Sequence, residues 1–291
     1  WAWDDLQYYF GAEVSALSVD DNTVDLFLSA GSQLGAACRI VAGPATPVLE
    51  FINRTTTVSR DSESNRWIQL LRPLGANTVE VTGRLPLGET NYQEAVTVHQ
   101  PARWFLARFQ EALDQRGIRV TGHRRVIGSQ DRPAGRSADS PLVELGYAES
   151  RPMAELVERM MKDSQNLYAQ LLLLQAGVQF GGAGARFRTT EEAGLAALRE
   201  FLGRAGVAPG EALLEEGAGL SHGAAVTPNA TVALLLHMSR HREATNFFQS
   251  LPLAGVEGTL RRRLAGTAAA GRVRAKPGAL HHVSTLSGYV T

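Results

Sequence analysis

Short apolar runs broken by Gly, Pro, Asn and Asp fill the first hundred residues of the chain. Val14–Val19 and Thr23–Leu28 read as strands flanking Asp20-Asp21-Asn22, a hairpin signature. Further strand-type runs are Cys38 to Ala42, Arg54 to Val58, Trp67 to Leu71, Thr78 to Val81 and Ala95 to Val98, each bounded by turn residues. From Pro101 the period changes. Pro101 to Arg116 is patterned as an amphipathic helix, with proline in its first turn and Gly117 beyond its last. Met153, Leu156, Val157, Met160 and Met161 repeat at helical spacing. Asn166 to Ala176 is a more apolar helix with Gly177 at its expected end, and Thr189-Thr190-Glu191-Glu192 resembles a capping box for a helix running to Arg204. Thr227-Pro228 caps another through about His241, and strands return around Arg272–Ala275 and Ser284–Val290. The expectation is a β-rich module over 1–100, a connecting helix and strands over 101–147, and a helix-rich domain with a few strands over 148–291.

Composition narrows the class more than the activity. With 44% hydrophobic residues among 291 there is material for a real core, and a formal net charge of zero gives no hint of a nucleic-acid partner. Cys38 is the only cysteine, which excludes an internal disulfide framework and a cysteine-rich metal site. No run is apolar for long enough to read as a membrane span, and none reads as a signal peptide. The chain opens on Trp1-Ala2-Trp3 without methionine and closes on Gly288-Tyr289-Val290-Thr291 inside a strand-like run. It is expected to be a piece of something longer, so the missing signal sequence says nothing about export.

Lysine usage carries the chemistry. Of 29 basic Lys and Arg residues only Lys162 and Lys276 are lysine. Lysine offers a compact ammonium whose pKa can be tuned, which the arginine fork cannot supply. Lys162 opens Lys162-Asp163-Ser164-Gln165-Asn166, and Lys276 opens Lys276-Pro277-Gly278. A Ser-x-Asn turn between two helices can aim a hydroxyl and a carboxamide the same way, although any helix N-cap also supplies that triplet. A Lys-x-Gly strand offers a fixed charge for a carboxylate and a glycine that admits a ligand close to the backbone. Ser-x-x-Lys, a Ser-x-Asn type element and Lys-Thr-Gly together mark penicilloyl-serine enzymes. Neither lysine here has serine three places before it: Arg159 precedes Lys162 and Val273 precedes Lys276 at that spacing.

Over essentially its whole length the sequence resembles the class C penicillin-binding proteins, the D-alanyl-D-alanine carboxypeptidase/endopeptidase family. The stretches that carry the resemblance are Trp1–Asp5, Met161–Ala169, Glu216–Ser221, Leu251–Arg261, and Arg274–Gly278 with Leu286–Val290. It implies an α+β fold: a β-lactamase/transpeptidase-like domain of helices around an antiparallel sheet, incomplete here, with a β-rich accessory region inserted ahead of Ser-x-Asn. It further implies an exported serine acyl-transfer enzyme of the periplasm or cell envelope, without cofactor or metal, acting on peptidoglycan stem peptides and acylated by β-lactam antibiotics. Ser164, Asn166 and Lys276 would be catalytic, while Pro277, Gly278 and Ala279 would line the substrate strand. The nucleophilic serine and its lysine base would lie outside this chain, which alone would be inactive. Two departures bear on that expectation. Pro277 stands where the family has threonine, and Glu216-Gly217-Ala218-Gly219-Leu220-Ser221 stands for Asp-Gly-Ser-Gly-Leu-Ser, a loop expected to position more than to react. The alternatives are a non-catalytic peptidoglycan-binding homologue and, less well supported, a β-lactamase-like hydrolase.

Other features have plainer readings. His237 and His241 have zinc-binding spacing but lack the glutamate and third ligand, so a solvated helix face is expected. His281-His282 reads as a turn. Arg261-Arg262-Arg263 reads as a solvated run that leaves peripheral membrane association open. Trp1, Trp3, Tyr8, Tyr9 and Phe10 are expected to pack as core, with a glycan-stacking surface as the alternative. Gly181–Gly184 lacks the strand-loop-helix setting of a phosphate loop.

Overall fold

A computed structural model of the chain describes residues 3–60, 66–128, 144, 146–181 and 189–291. It divides into two compact units, one up to Tyr147 and the other Ala148–Thr291. In the first, β1 (Thr23–Ser29) lies between antiparallel β2 (Arg39–Gly43) and β6 (Tyr92–Thr97). In a second sheet β5 (Thr78–Pro86) runs parallel to β3 (Glu50–Val58) and antiparallel to β4 (Trp67–Leu71). Period-two alternation explains the core. Val24, Leu26 and Leu28 of β1 and Val79, Val81 and Leu85 of β5 are buried in one shared cluster.

Three expectations for this unit are corrected. Helix α1 (Pro101–Asp114) is part of the β-rich unit, because Trp104 is fully buried in that same cluster, and among the described residues from Gln115 to Tyr147 no strand follows it. Val14–Val19 does not pair with β1. Asp20, Asp21 and Asn22 all take positive φ, and the buried Asn22 amide donates to the Glu13 carbonyl at 2.9 Å and the Ser18 hydroxyl at 3.0 Å, so the segment wraps around a side chain. Nor do the described N-terminal rings form core: Trp3, Tyr8 and Tyr9 are exposed, Tyr8 stacks on Phe10 and Tyr9 meets it edge-on, while Trp1 lies outside the described residues. Backbone polarity anchors that segment instead. The buried Arg72 guanidinium donates to the Leu6 carbonyl at 2.6 Å, and its backbone N–H donates to Gln7 Oε1 at 3.1 Å.

The second unit contains helices α2 (Met153–Asp163), α3 (Asn166–Gly181), α4 (Thr190–Arg204), α5 (Pro228–Ser239) and α6 (Ala244–Ser250). Its sheets are a short pair, β7 (Ala212–Leu213) with β8 (Ala225–Val226), and a long antiparallel hairpin, β9 (Val273–Leu280) with β10 (Val283–Val290). Thr189 caps α4 by accepting from Glu192 N–H at 3.1 Å, and Thr227 caps α5 by accepting from Ala230 N–H at 3.1 Å. Helix α3 runs past Gly177, which therefore is not its terminator. A Cβ there would lie 1.9 Å from the Thr190 carbonyl oxygen, and one at Gly194 would lie 2.4 Å from the Leu173 carbonyl. The two glycines let α3 and α4 touch backbone to backbone. Gly177→Ala is accordingly expected to destabilise the protein by about 1–3 kcal/mol through overpacking. Gly203→Ala, where a Cβ meets nothing within 4 Å, should stabilise it by up to about 1 kcal/mol through helix propensity. Urea unfolding of both variants checks the opposite signs. No helix among the described residues is long and apolar enough to cross a membrane.

Candidate active site

Ser164 ends α2 in the left-handed conformation, φ 57° and ψ 50°, with its N–H bonded back to the Met160 carbonyl. Gln165 N–H donates to the same carbonyl at 2.9 Å, and α3 restarts at Asn166. The helical path thus breaks for a single turn, whose left-handed serine costs about 1–3 kcal/mol of backbone strain. The turn sets Ser164 and Asn166 at the junction of two rigid helices, both half-buried. Lys276, 112 residues further on, comes from β9. Its ammonium donates to Ser164 Oγ at 2.7 Å and to the Pro277 carbonyl at 2.7 Å. Burial pushes the Lys276 ammonium below its ordinary pKa.

The register of β9 places the remaining predicted residues. Ala275 N–H donates to the Pro252 carbonyl at 3.0 Å, on the side away from β10, while the Arg272 carbonyl accepts from Thr291 N–H on the β10 side. Backbone groups alternate along an antiparallel strand, so residues 275, 277 and 279 turn theirs to the outer edge. The segment around Leu253 covers that edge as far as the Ala275 N–H; beyond it, no strand among the described residues pairs there. Pro277 therefore lacks its N–H on the open edge and not in the ladder, where it pairs opposite Leu286 without breaking a bond to β10. Ala279 directs its N–H outward, and both Gly278 and Ala279 are exposed. The hairpin opposes Gly278 with Thr285; a Cβ on Gly278 would meet Thr285 Oγ1 at 2.7 Å, which is a reason for glycine at this place. The arrangement offers a hydroxyl, an ammonium and an unpaired strand edge side by side.

Behind this surface lies a charged network that inspection of the sequence does not reveal. Lys162 Nζ contacts Glu158 Oε1 at 2.5 Å, a spacing of four along α2, and Glu257 Oε2 at 3.1 Å. Burial works against the Lys162 charge, but the two carboxylates outweigh it and hold its pKa above the ordinary value. Arg274 Nη1 contacts Glu257 Oε1 at 3.2 Å and donates to the Leu251 carbonyl at 3.1 Å, with its guanidinium over the Phe248 ring. Glu257 is 95 residues from Lys162 along the chain, so no local spacing rule links them.

The Glu216 loop is held by its own acid. Glu216 accepts from the N–H groups of Ala218, Leu220 and Ser221, and Gly217 N–H donates to the buried Gln170 carboxamide at 2.6 Å. Those bonds need a carboxylate and no hydroxyl at position 218. His237 and His241 face each other with ring centroids 5.7 Å apart, and no group of three metal-binding side chains occurs among the described residues. His281 and His282 form the turn of the β9–β10 hairpin. Gly182–Gly184 lie outside the described residues.

Comparison with known proteins gives this geometry a context. The chain is 34% identical to the D-alanyl-D-alanine carboxypeptidase of Actinomadura sp. (strain R39) over 301 residues, covering all of this chain and 53% of that protein. Among solved structures it resembles penicillin binding protein 4 of Haemophilus influenzae, with TM-score 0.77 and 23% identity over all of this chain and 61% of that one. The β-lactam complex of that protein matches with TM-score 0.71 and 21% identity, covering 97% and 61%. At that identity the solved structures establish the α+β fold. The chain spans about half the length of the curated relatives it matches. The model of the D-Ala-D-Ala carboxypeptidase 3 (S13) family matches residues 1–291, and to that family the chain belongs.

Proposed function

We propose that the whole protein is an exported serine-type D-Ala-D-Ala carboxypeptidase or endopeptidase. It would act on peptidoglycan stem peptides, be acylated by β-lactams, and have residues 164–166 and 276–279 as one wall of its cleft. The observation that carries this reading is the 2.7 Å bond from Lys276 Nζ to Ser164 Oγ at the head of an open strand edge. The nucleophilic serine and its lysine base come from outside these residues, since neither Lys162 nor Lys276 has serine at the required spacing. That serine attacks the D-Ala-D-Ala carbonyl; its Oγ–C bond forms as the peptide C–N bond breaks. The Ala279 N–H, turned to the open edge, is placed to share the developing oxyanion. Ser164 and Lys276 pass the proton to the leaving amine, Asn166 holds the substrate amide, and water then releases the acyl group.

A second reading, a non-catalytic peptidoglycan-binding homologue, draws on one observation. Pro277 brings neither a hydroxyl nor an N–H to the edge where a substrate carboxylate would be held. Fluorescent penicillin decides between them. Labelling of the whole protein, absent from the 291-residue chain alone, is the expected result. No labelling of the whole protein favours the second reading, and labelling of the short chain refutes the placement of the nucleophile.

A further inference from the structure

Two of the site's residues ride on elements that one carboxylate joins. Lys162 lies in the last turn of α2, two residues before Ser164; Arg274 lies on β9, two residues before Lys276 and therefore on the same face of the strand. Glu257 reaches both, with Oε2 at 3.1 Å from Lys162 Nζ and Oε1 at 3.2 Å from Arg274 Nη1. Its side chain is only 34% exposed, and those of Lys162 and Arg274 are 20% and 21% exposed, so solvent screens this trio less than a surface pair. The backbone beside it is just as closely fitted. Gly258 takes φ +59°, and a Cβ there would lie 2.7 Å from the Lys162 carbonyl oxygen. On its other side the same segment bonds to β9 through Pro252 and Ala254. Residues 252–258 thus form a wedge that touches the end of α2 and the edge of β9 at once.

We propose that Glu257 is a positioning residue, whose carboxylate locks the α2 terminus to β9 and so fixes the distance between Ser164 and Lys276. The claim that this matters for acylation rests on the proposed function; the claim about the distance does not. Glu257→Gln suits the test because its loss strands neither cation. Lys162 keeps Glu158, and Arg274 keeps the Leu251 carbonyl and the Phe248 ring. In the whole protein, Glu257→Gln is expected to slow penicillin acylation ten- to a hundredfold, roughly the scale of a misplacement near an ångström, with non-covalent affinity little changed. In a Ser164→Ala background the same substitution should add almost nothing, because the contact it positions is already gone. A merely stabilising role predicts the opposite, equal effects in both backgrounds.

The activity-independent readout is the Lys276 side-chain nitrogen resonance, assigned by its loss in Lys276→Arg. In Glu257→Gln it should move toward its position in Ser164→Ala. A resonance that stays at the wild-type position overturns the proposal. So does a variant whose melting temperature falls while its acylation rate per folded molecule does not. Should the wild-type protein fail to label, the proposed function falls, and the resonance still decides the role of Glu257.

Discussion

Lys276→Met in the whole protein should slow acylation by penicillin about 10²- to 10⁴-fold, the range spanned by positioned acid–base groups. The geometry leaves no substitute. Lys276 Nζ is 2.7 Å from Ser164 Oγ, and the other lysine is engaged with Glu158 and Glu257. Ser164→Ala should produce a similar loss, and the double variant should be little worse than either, since the pair acts as one unit. Burial lowers the Lys276 pKa, so its charge is given up at a lower pH than an ordinary lysine near 10.4. A rate that uses the ammonium therefore falls as pH rises through that lowered value. Lys276→Arg keeps its charge at all accessible pH and should lose that alkaline fall while remaining slow, because the guanidinium fork does not fit an ammonium's place. The linkage to stability has a definite sign. Between the lowered folded value and the ordinary unfolded one the unfolded chain holds the extra proton, so stability rises with pH across that window. Denaturant unfolding at several alkaline pH values should show the rise in wild type and its loss in Lys276→Met.

Local signals were legible where one face of an element decides its structure. Short apolar runs bounded by turn residues gave β4 with its full bounds, Trp67–Leu71, and found β1, β5 and β9, whose alternate residues enter a core. Capping residues were equally readable, since Thr189 and Thr227 act on N–H groups three residues away. Readings failed where a residue serves a distant partner. Gly177 looks like a helix stop along the chain, yet it is a contact with the carbonyl of Thr190. Asp20-Asp21-Asn22 has the composition of a hairpin turn, but Asn22 turns inward to hold residues Glu13 and Ser18. The aromatic N-terminus looks like core, while Arg72 supplies the anchor through backbone carbonyls that no hydropathy pattern marks. At the site, Ser-x-Asn and Lys-x-Gly are each too common to mean anything alone; family resemblance joined them, and a direct hydrogen bond now does so physically. Glu257 stood inside a stretch that carried the resemblance, but its role depends on two cations brought together only by folding.

Pro277→Thr is the substitution expected to raise activity. The fold has no stake in proline here, because the nitrogen of residue 277 faces the open edge and its ladder neighbours Lys276 and Gly278 keep their bonds toward β10. Threonine, a good strand residue, should leave stability within about 0.5 kcal/mol. What it adds is a hydroxyl and an N–H on the edge beside the Lys276 ammonium, where a ligand carboxylate would be neutralised. A hydrogen bond to a charged group contributes about 1.5–3 kcal/mol, and about 1.4 kcal/mol corresponds to a factor of ten. Acylation by penicillin and cleavage of a D-Ala-D-Ala peptide with a free C-terminus should therefore rise roughly tenfold or more in kcat/KM. The same peptide capped as its C-terminal amide, which offers no carboxylate, should gain little. That contrast separates a carboxylate contact from a general improvement of the strand. Equal gains on both peptides would place the benefit in the added N–H or in strand geometry. No gain on either would mean that proline is tolerated and the Lys276 ammonium suffices. Labelling by the threonine variant of a wild-type protein that does not label would identify Pro277 as the reason catalysis was lost.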